Sequence, residues 1–336
     1  VRALLPLAAL LCACSGPALG DPSTVLARLQ ELQAEGDIDE VADLGQVAVA
    51  SAEVPSEDRG EAAYLAGEAE YELGNYGAAF ERYRWILENA PWSEHVTALE
   101  DRLFEMGRTM LFGEEYSGWF DDRGRGVEVL ETLAAHFRAS GRADDALRMV
   151  GDYFASDDVQ AWGEASLSYL RVFEEYPESE WAERCLWLAG HCRLREARGP
   201  AYDRNELLRA ASLLQRSLTV HPRGVAVLDA RADLANCREQ LAQAELVVAD
   251  FYLGRGVPPG EILRLTNAAS LYPDRSAGKS AAARLLAMGL DPAALAGDPR
   301  RNSIDTVKFV TPRWEREAEE KRRGEQKGDK LDGSQP

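Results

Sequence analysis

Four proline-terminated segments fix the architecture of this 336-residue chain. They run Tyr83 to Pro91, Tyr169 to Pro177, Leu214 to Pro222 and Leu265 to Pro273. Each reads as the last turns of a helix that proline stops, because its ring fixes φ and removes an amide donor. Counting forward from each proline gives a common pattern. Eight residues on stand Leu99, Cys185, Ala230 and Ala281; twelve on, Leu103, Ala189, Leu234 and Leu285; fifteen on, Met106, Cys192, Cys237 and Met288. Steps of four and then three follow one face of an α-helix. Every proline therefore precedes a new helix with its apolar stripe in the same place. Cys192 and Cys237 share a slot with two methionines, which makes them soft core filler. A Cys192–Cys237 bridge between neighbouring repeats is the competing arrangement. Cys185 and Cys192 lie about 10.5 Å apart along one helix axis, too far for a disulfide.

The segment that includes the first proline shows the repeat most clearly. Small residues at Gly67 and Ala79 let two antiparallel helices approach, Gly74 and Asn75 turn the chain between them, and Tyr71, Tyr76 and Tyr83 fill the contact. This pattern resembles the tetratricopeptide repeat. Weaker copies sit at Gly36, Asp37, Ile38 and Val41, and at Phe137, Gly141 and Ala146. Such units stack because none buries its apolar face alone. The expected fold is all-α, a tetratricopeptide-repeat superhelical solenoid with a disordered C-terminal tail. The chain divides into a signal segment (1–13), a linker (14–24), N-terminal repeats (25–94), an irregular helical insert and repeat (95–177), C-terminal repeats (178–296) and a charged tail (297–336). Residues 112–126 read as an excursion loop and 195–206 as a second long connection. In the tail, Thr306 to Thr311 is the one β-leaning stretch; after Trp314 the chain is charged and poor in apolar residues and is expected to be disordered, with a short charged helix as the competing arrangement.

At the N-terminus, Arg2 precedes an apolar run from Leu4 to Leu11, an export signal too short to span a bilayer as a mature helix. Leu11-Cys12-Ala13-Cys14 looks like a bacterial lipobox, which implies cleavage before Cys14 and acylation there, and more than one acyl chain anchors stably. An ordinary signal peptide cut near Ala18-Leu19-Gly20 is the alternative. The net charge of −19 argues against nucleic acid, which needs a basic footprint, and against adhesion to anionic lipid by charge alone. No nucleophile or cofactor motif stands out. Gly278-Lys279-Ser280 lacks the glycine that a phosphate-binding loop needs at position 273, where Pro273 stands. His95, His136, His191 and His221 are scattered. His191 and Cys192 point to different sides of a helix, and no metal site is expected. Asp121 and Asp122 read as a solvated loop. No catalysis and no cofactor are expected.

Further along, Leu241, Ala242, Glu245, Val248, Ala249, Phe251, Tyr252 and Gly256 lie on one long helix and its end. Asp203-Arg204 in a loop, a helix and Pro222 come before it, and a helix ending in Pro273 comes after. That order, behind a lipobox and N-terminal tetratricopeptide repeats, resembles the BamD family, outer-membrane lipoproteins of the β-barrel assembly machinery, over residues 11–94 and 178–290. The chain departs from the family at residues 95–177, which hold an added amount of helix. It departs again at Val257 to Ile262, where the family usually shows an aromatic residue and an alanine.

The resemblance implies a non-catalytic scaffold held to the outer membrane by its N-terminal lipid and facing the periplasm. Its N-terminal repeats would receive unfolded outer-membrane protein segments, and its C-terminal repeats would dock on the barrel-bearing assembly subunit. Read from the residues alone, Tyr64, Glu68 and Tyr71 form the candidate peptide groove, suited to an extended, aromatic-bearing peptide with some positive charge; a wholly buried Tyr71 is the competing placement. A periplasmic tetratricopeptide adaptor for cell-wall or division machinery is the alternative function. A helical wall-cleaving hydrolase is a third, and it would need an essential carboxylate in the groove.

Overall fold

A computed structural model describes residues 20–113, 123–202 and 204–296. The proposed anchor Cys14, the acid pair Asp121 and Asp122, the β-leaning stretch and the tail lie outside the described residues, as does Asp203. The described residues form fourteen helices and no strand, packed in sequence order like repeats. They fall into two compact units, one ending at Trp181 and the other beginning at Ala182.

The first unit holds α1 (Val25–Glu35), α2 (Ile38–Ala50), α3 (Ser56–Glu72), α4 (Tyr76–Asn89), α5 (Val96–Phe112), α6 (Arg123–His136), α7 (Ala143–Ala155) and α8 (Trp162–Glu175). The second holds α9 (Ala182–Glu196), α10 (Arg204–Val220), α11 (Val227–Gly254), α12 (Pro258–Leu271), α13 (Ser276–Ala287) and α14 (Pro292–Leu295).

The four prolines end helices as the sequence implies. α4, α8, α10 and α12 each stop two residues before Pro91, Pro177, Pro222 or Pro273. Ala90, Tyr176 and Tyr272, each directly ahead of a proline, leave the helical region with ψ of 50°, 63° and 50°. The proline ring clashes with a helical residue in front of it, which forces this exit. Each following helix then buries the predicted stripe, and Met288 is the exception at 44% exposed. It caps the end of α13, where among the described residues the short α14 follows.

Within the hairpins, a glycine on the first helix meets a large side chain on the second. A Cβ on Gly67 would lie 2.5 Å from the Tyr83 ring, and one on Gly151 2.7 Å from the Tyr169 ring. Gly107 and Leu130, and Gly190 and Leu214, make the same contact at 2.6 and 2.8 Å. The second helices share a register counted back from proline. Ala79, Ala165, Ala210 and Glu261 stand twelve residues before it, and Tyr83, Tyr169, Leu214 and Leu265 eight before; all are buried.

Three expectations change. Residues 95–177, expected to hold an irregular helical insert and a repeat, contain α5 to α8, two hairpins with the same glycine contacts as their neighbours. Phe137 and Gly141 lie in the turn between α6 and α7, so Gly151, Ala165 and Tyr169 mark that repeat. The excursion read over 112–126 is shorter at its C-terminal side. α6 begins at Arg123, and Gly126 is buried against Met110 and Leu111 of α5. Gly126, one of the glycines that suggested a loop, allows this close packing, while Gly124 faces open space.

Candidate functional site

Tyr64, Glu68 and Tyr71 are spaced by four and three residues, so they share one face of α3. All three are half-buried beside α5 and the connection that leads into it. The Glu68 carboxylate takes a fork of bonds from Arg102 of α5, with Nε 3.0 Å from Oε1 and Nη2 2.6 Å from Oε2. It also accepts the Tyr83 hydroxyl at 2.7 Å. The Arg102 guanidinium lies 4.7 Å from the centre of the Tyr71 ring, a cation–π distance, and Tyr76 tilts against the same ring at 5.3 Å. Tyr64 stacks on His95, with ring centres 3.8 Å apart and planes 5° from parallel. His95 Nε2 in turn lies 2.6 Å from Glu61 Oε2.

The local electrostatics follow from burial and pairing. Burial pushes the Tyr83 hydroxyl far above its ordinary value, and the bond to Glu68 adds to the effect. Burial also raises Tyr64 and Tyr71. The bond to Glu68 holds Arg102 in its charged form. Glu68 is thus committed to Arg102 and Tyr83, while Arg102 keeps 42% of its side chain exposed. The part-exposed groups on this face are therefore Tyr64, Tyr71 and the Arg102 guanidinium. The sequence could not give Arg102 this role, because it stands thirty-four residues beyond Glu68.

The same logic recurs elsewhere. Tyr169 donates its hydroxyl to Asp152 at 2.7 Å, Asp152 pairs with Arg148, and Arg148 lies over the Trp181 ring at 4.4 Å. In the second unit Glu245 of α11 is 2% exposed and receives Arg204 and Arg264, each at 3.1 Å. A buried carboxylate held by two guanidiniums ties α10, α11 and α12 together. Glu261 stands in the register slot that alanine fills in the other repeats. It is also buried, and accepts Arg284 of α13 at 2.9 Å. The departure from the family pattern at this slot is thus met by a partner on the next helix.

The remaining sequence candidates have structural surroundings. His191 Nδ1 faces Asp233 at 2.9 Å, and Trp187 donates to the same carboxylate at 2.8 Å. Burial alone would raise Asp233, but the bonds from His191 and Trp187 hold its carboxyl below its ordinary value. Cys185, Cys192 and Cys237 are buried and joined by no disulfide. Burial pushes the Cys237 thiol up to about 12. Gly278 belongs to no phosphate loop: its backbone packs on the end of α12, where a Cβ would fall 1.9 Å from the Tyr272 carbonyl oxygen. One cluster escaped the sequence reading. Glu61, Glu94 and His95 place ligand atoms within 4.8 Å of one another.

Fold and site together define a helical-hairpin repeat protein whose buried acids link neighbouring helices. The outer membrane lipoprotein family YfiO matches residues 120–290, just over half of the chain, and the chain belongs to that family. This is the family of the BamD resemblance, a structural one and not a known enzyme family. The match runs through residues 120–177, which the sequence reading had set apart. No curated protein matches the chain. Among the described residues, no helix is long and apolar enough to cross a membrane.

Proposed function

We propose that the protein is a non-catalytic scaffold of the β-barrel assembly machinery, held at the outer membrane by lipid on Cys14. The family match over residues 120–290 carries this reading. Unfolded outer-membrane protein segments would lie along the α3 face. There the half-exposed Tyr64 and Tyr71 would take aromatic side chains and Arg102 a carboxylate, with Glu68 holding Arg102 in place. This shifts the preferred peptide from one with positive charge toward one with an acidic or C-terminal carboxylate group. The second unit would dock on the barrel-bearing assembly subunit. Val247 and Phe251 are 42% and 55% exposed one turn apart on α11, an apolar pair that the partner would cover.

Depletion in the native host tests the reading. Integral outer-membrane proteins should fall while other envelope proteins persist; normal levels after depletion would exclude it. Recovery of wall-synthesis enzymes rather than a barrel protein in a pull-down would favour the wall or division adaptor instead. Mass spectrometry of the mature N-terminus tests the anchor: a diacylglyceryl group on Cys14 is expected, and a start at Asp21 would exclude it.

A further inference from the structure

We propose that Glu61, Glu94 and His95 bind one divalent transition-metal ion, with zinc the ion best suited to the donors. Glu61 lies in the second turn of α3, and Glu94 and His95 stand directly ahead of α5. His95 Nε2 and Glu61 Oε2 are already 2.6 Å apart, and a Glu94 oxygen lies within 4.8 Å of both. Zinc takes imidazole nitrogen and carboxylate oxygen at about 2.0–2.2 Å, so its ligand atoms sit roughly 3.4 Å from one another. Rotation of the exposed Glu94 side chain and a spread of His95 from Glu61 of less than about 1 Å reach that arrangement.

The donors are held for the task. Tyr64 lies flat on the imidazole at 3.8 Å and sets its plane. The turn that carries Glu94 and His95 is fixed by two bonds: the Ser93 hydroxyl accepts the His95 amide at 3.3 Å, and the Ser93 carbonyl accepts the Val96 amide at 3.2 Å. Together the stacked ring and the fixed turn restrict where the imidazole can stand. A nitrogen in the set selects zinc-like ions over magnesium and calcium, which prefer oxygen alone. Three protein donors leave a fourth position for water or for a side chain of a bound partner. Binding needs Nε2 without its proton, so the ion displaces the hydrogen now shared between His95 and Glu61. The ion would then tie α3 to the entry of α5 beside Tyr64. This assignment does not depend on the role in barrel assembly.

The test is a zinc titration of purified, untagged, metal-stripped mature protein. Retained metal is counted per chain by mass spectrometry, and cobalt substitution is followed by visible absorption. One zinc per chain is expected. Glu94→Gln and His95→Gln should each weaken binding by more than about tenfold, the lower bound for losing even an outer-shell partner. His191→Gln, which alters the other histidine–carboxylate pair, should bind as the parent does. Glu94 is exposed, so its replacement leaves the fold intact and keeps the test decisive. No retained zinc, equal affinity in Glu94→Gln and His95→Gln, or loss in His191→Gln would overturn the proposal.

Discussion

Replacing Gly67 by alanine tests the close approach that organises the hairpins. The added Cβ would meet Tyr83 Cε1 at 2.5 Å, Cδ1 at 2.9 Å and the Arg82 Cβ at 3.3 Å. Carbon atoms normally rest about 3.5–4.0 Å apart, so the ring must move by roughly 1 Å. Tyr83 has little room to do so. It is fully buried, and its hydroxyl is bonded to Glu68, which Arg102 holds from the other side. Overpacking a well-filled core costs about 1–3 kcal/mol, and a pinned ring belongs near the top of that range. Alanine recovers about 1 kcal/mol of helix propensity over glycine. The net expectation is a loss of about 1–2 kcal/mol. At about 2–4 °C per kcal/mol for a unit of this size, the melting temperature should fall by roughly 2–8 °C. Thermal unfolding followed by circular dichroism at 222 nm measures it. Gly151→Ala, with Tyr169 at 2.7 Å, should behave alike, while Gly124→Ala, with nothing within 4 Å, should not destabilise. An unchanged or raised melting temperature in Gly67→Ala would refute the reasoning.

Glu245→Ala should lower the stability of the second unit by about 3 kcal/mol, the low end for breaking a buried pair, because Arg204 and Arg264 are part-exposed and can turn to water; urea unfolding reads the loss. Asp233 has a carboxyl pKa below its unfolded value, so its contribution is complete above about pH 4 and disappears as pH falls through the folded value. Urea midpoints of Asp233→Asn and parent protein should therefore differ at pH 6 and converge toward pH 3; a gap independent of pH would contradict the assignment. In protein lacking Cys12 and Cys14, Cys185, Cys192 and Cys237 should resist a thiol reagent at pH 8 until urea unfolds the chain, since all are buried and Cys237 titrates near 12. Phe251→Ala should reduce co-purification of the barrel-bearing subunit without changing the melting temperature, because the ring is half in solvent.

Much of this organisation is legible in the primary structure because it is local. Proline acts on the residue directly before it, and a stripe of spacing four and three needs only one helix to be read. Met288 departs because burial depends on what packs beyond a helix end, which no single-helix pattern contains. The same limit hid the regular packing of the first hairpin in residues 95–177, where one repeat was legible. Gly126 reads as a loop residue unless Met110 and Leu111 are known to lie against it. At the candidate surface, the face shared by Tyr64, Glu68 and Tyr71 follows from spacing. The pairing of Glu68 with Arg102, and the meeting of Glu61 with His95, join residues thirty-four apart through tertiary packing. One signal was available and went unread: a small or acidic residue twelve before each of the four prolines, one turn ahead of the bulky residue that opens each segment. That register would have placed Ala165 and marked Glu261 as the odd member.

The seating of a broad side chain on bare backbone makes each hairpin sensitive to phase. Removing one residue between the start of α8 and Tyr169 would swing the ring by about 100° around its helix axis. A deletion there breaks the contact even when composition is unchanged. The turn before α8 is under no such constraint. From glycine to proline this repeat is two residues longer than that of Gly67 and Pro91, yet Tyr83 and Tyr169 both stand seven residues past the first residue of their helices and both rings meet their glycines. The added length falls at the joint between the two helices, and the start of the second must be inherited whole.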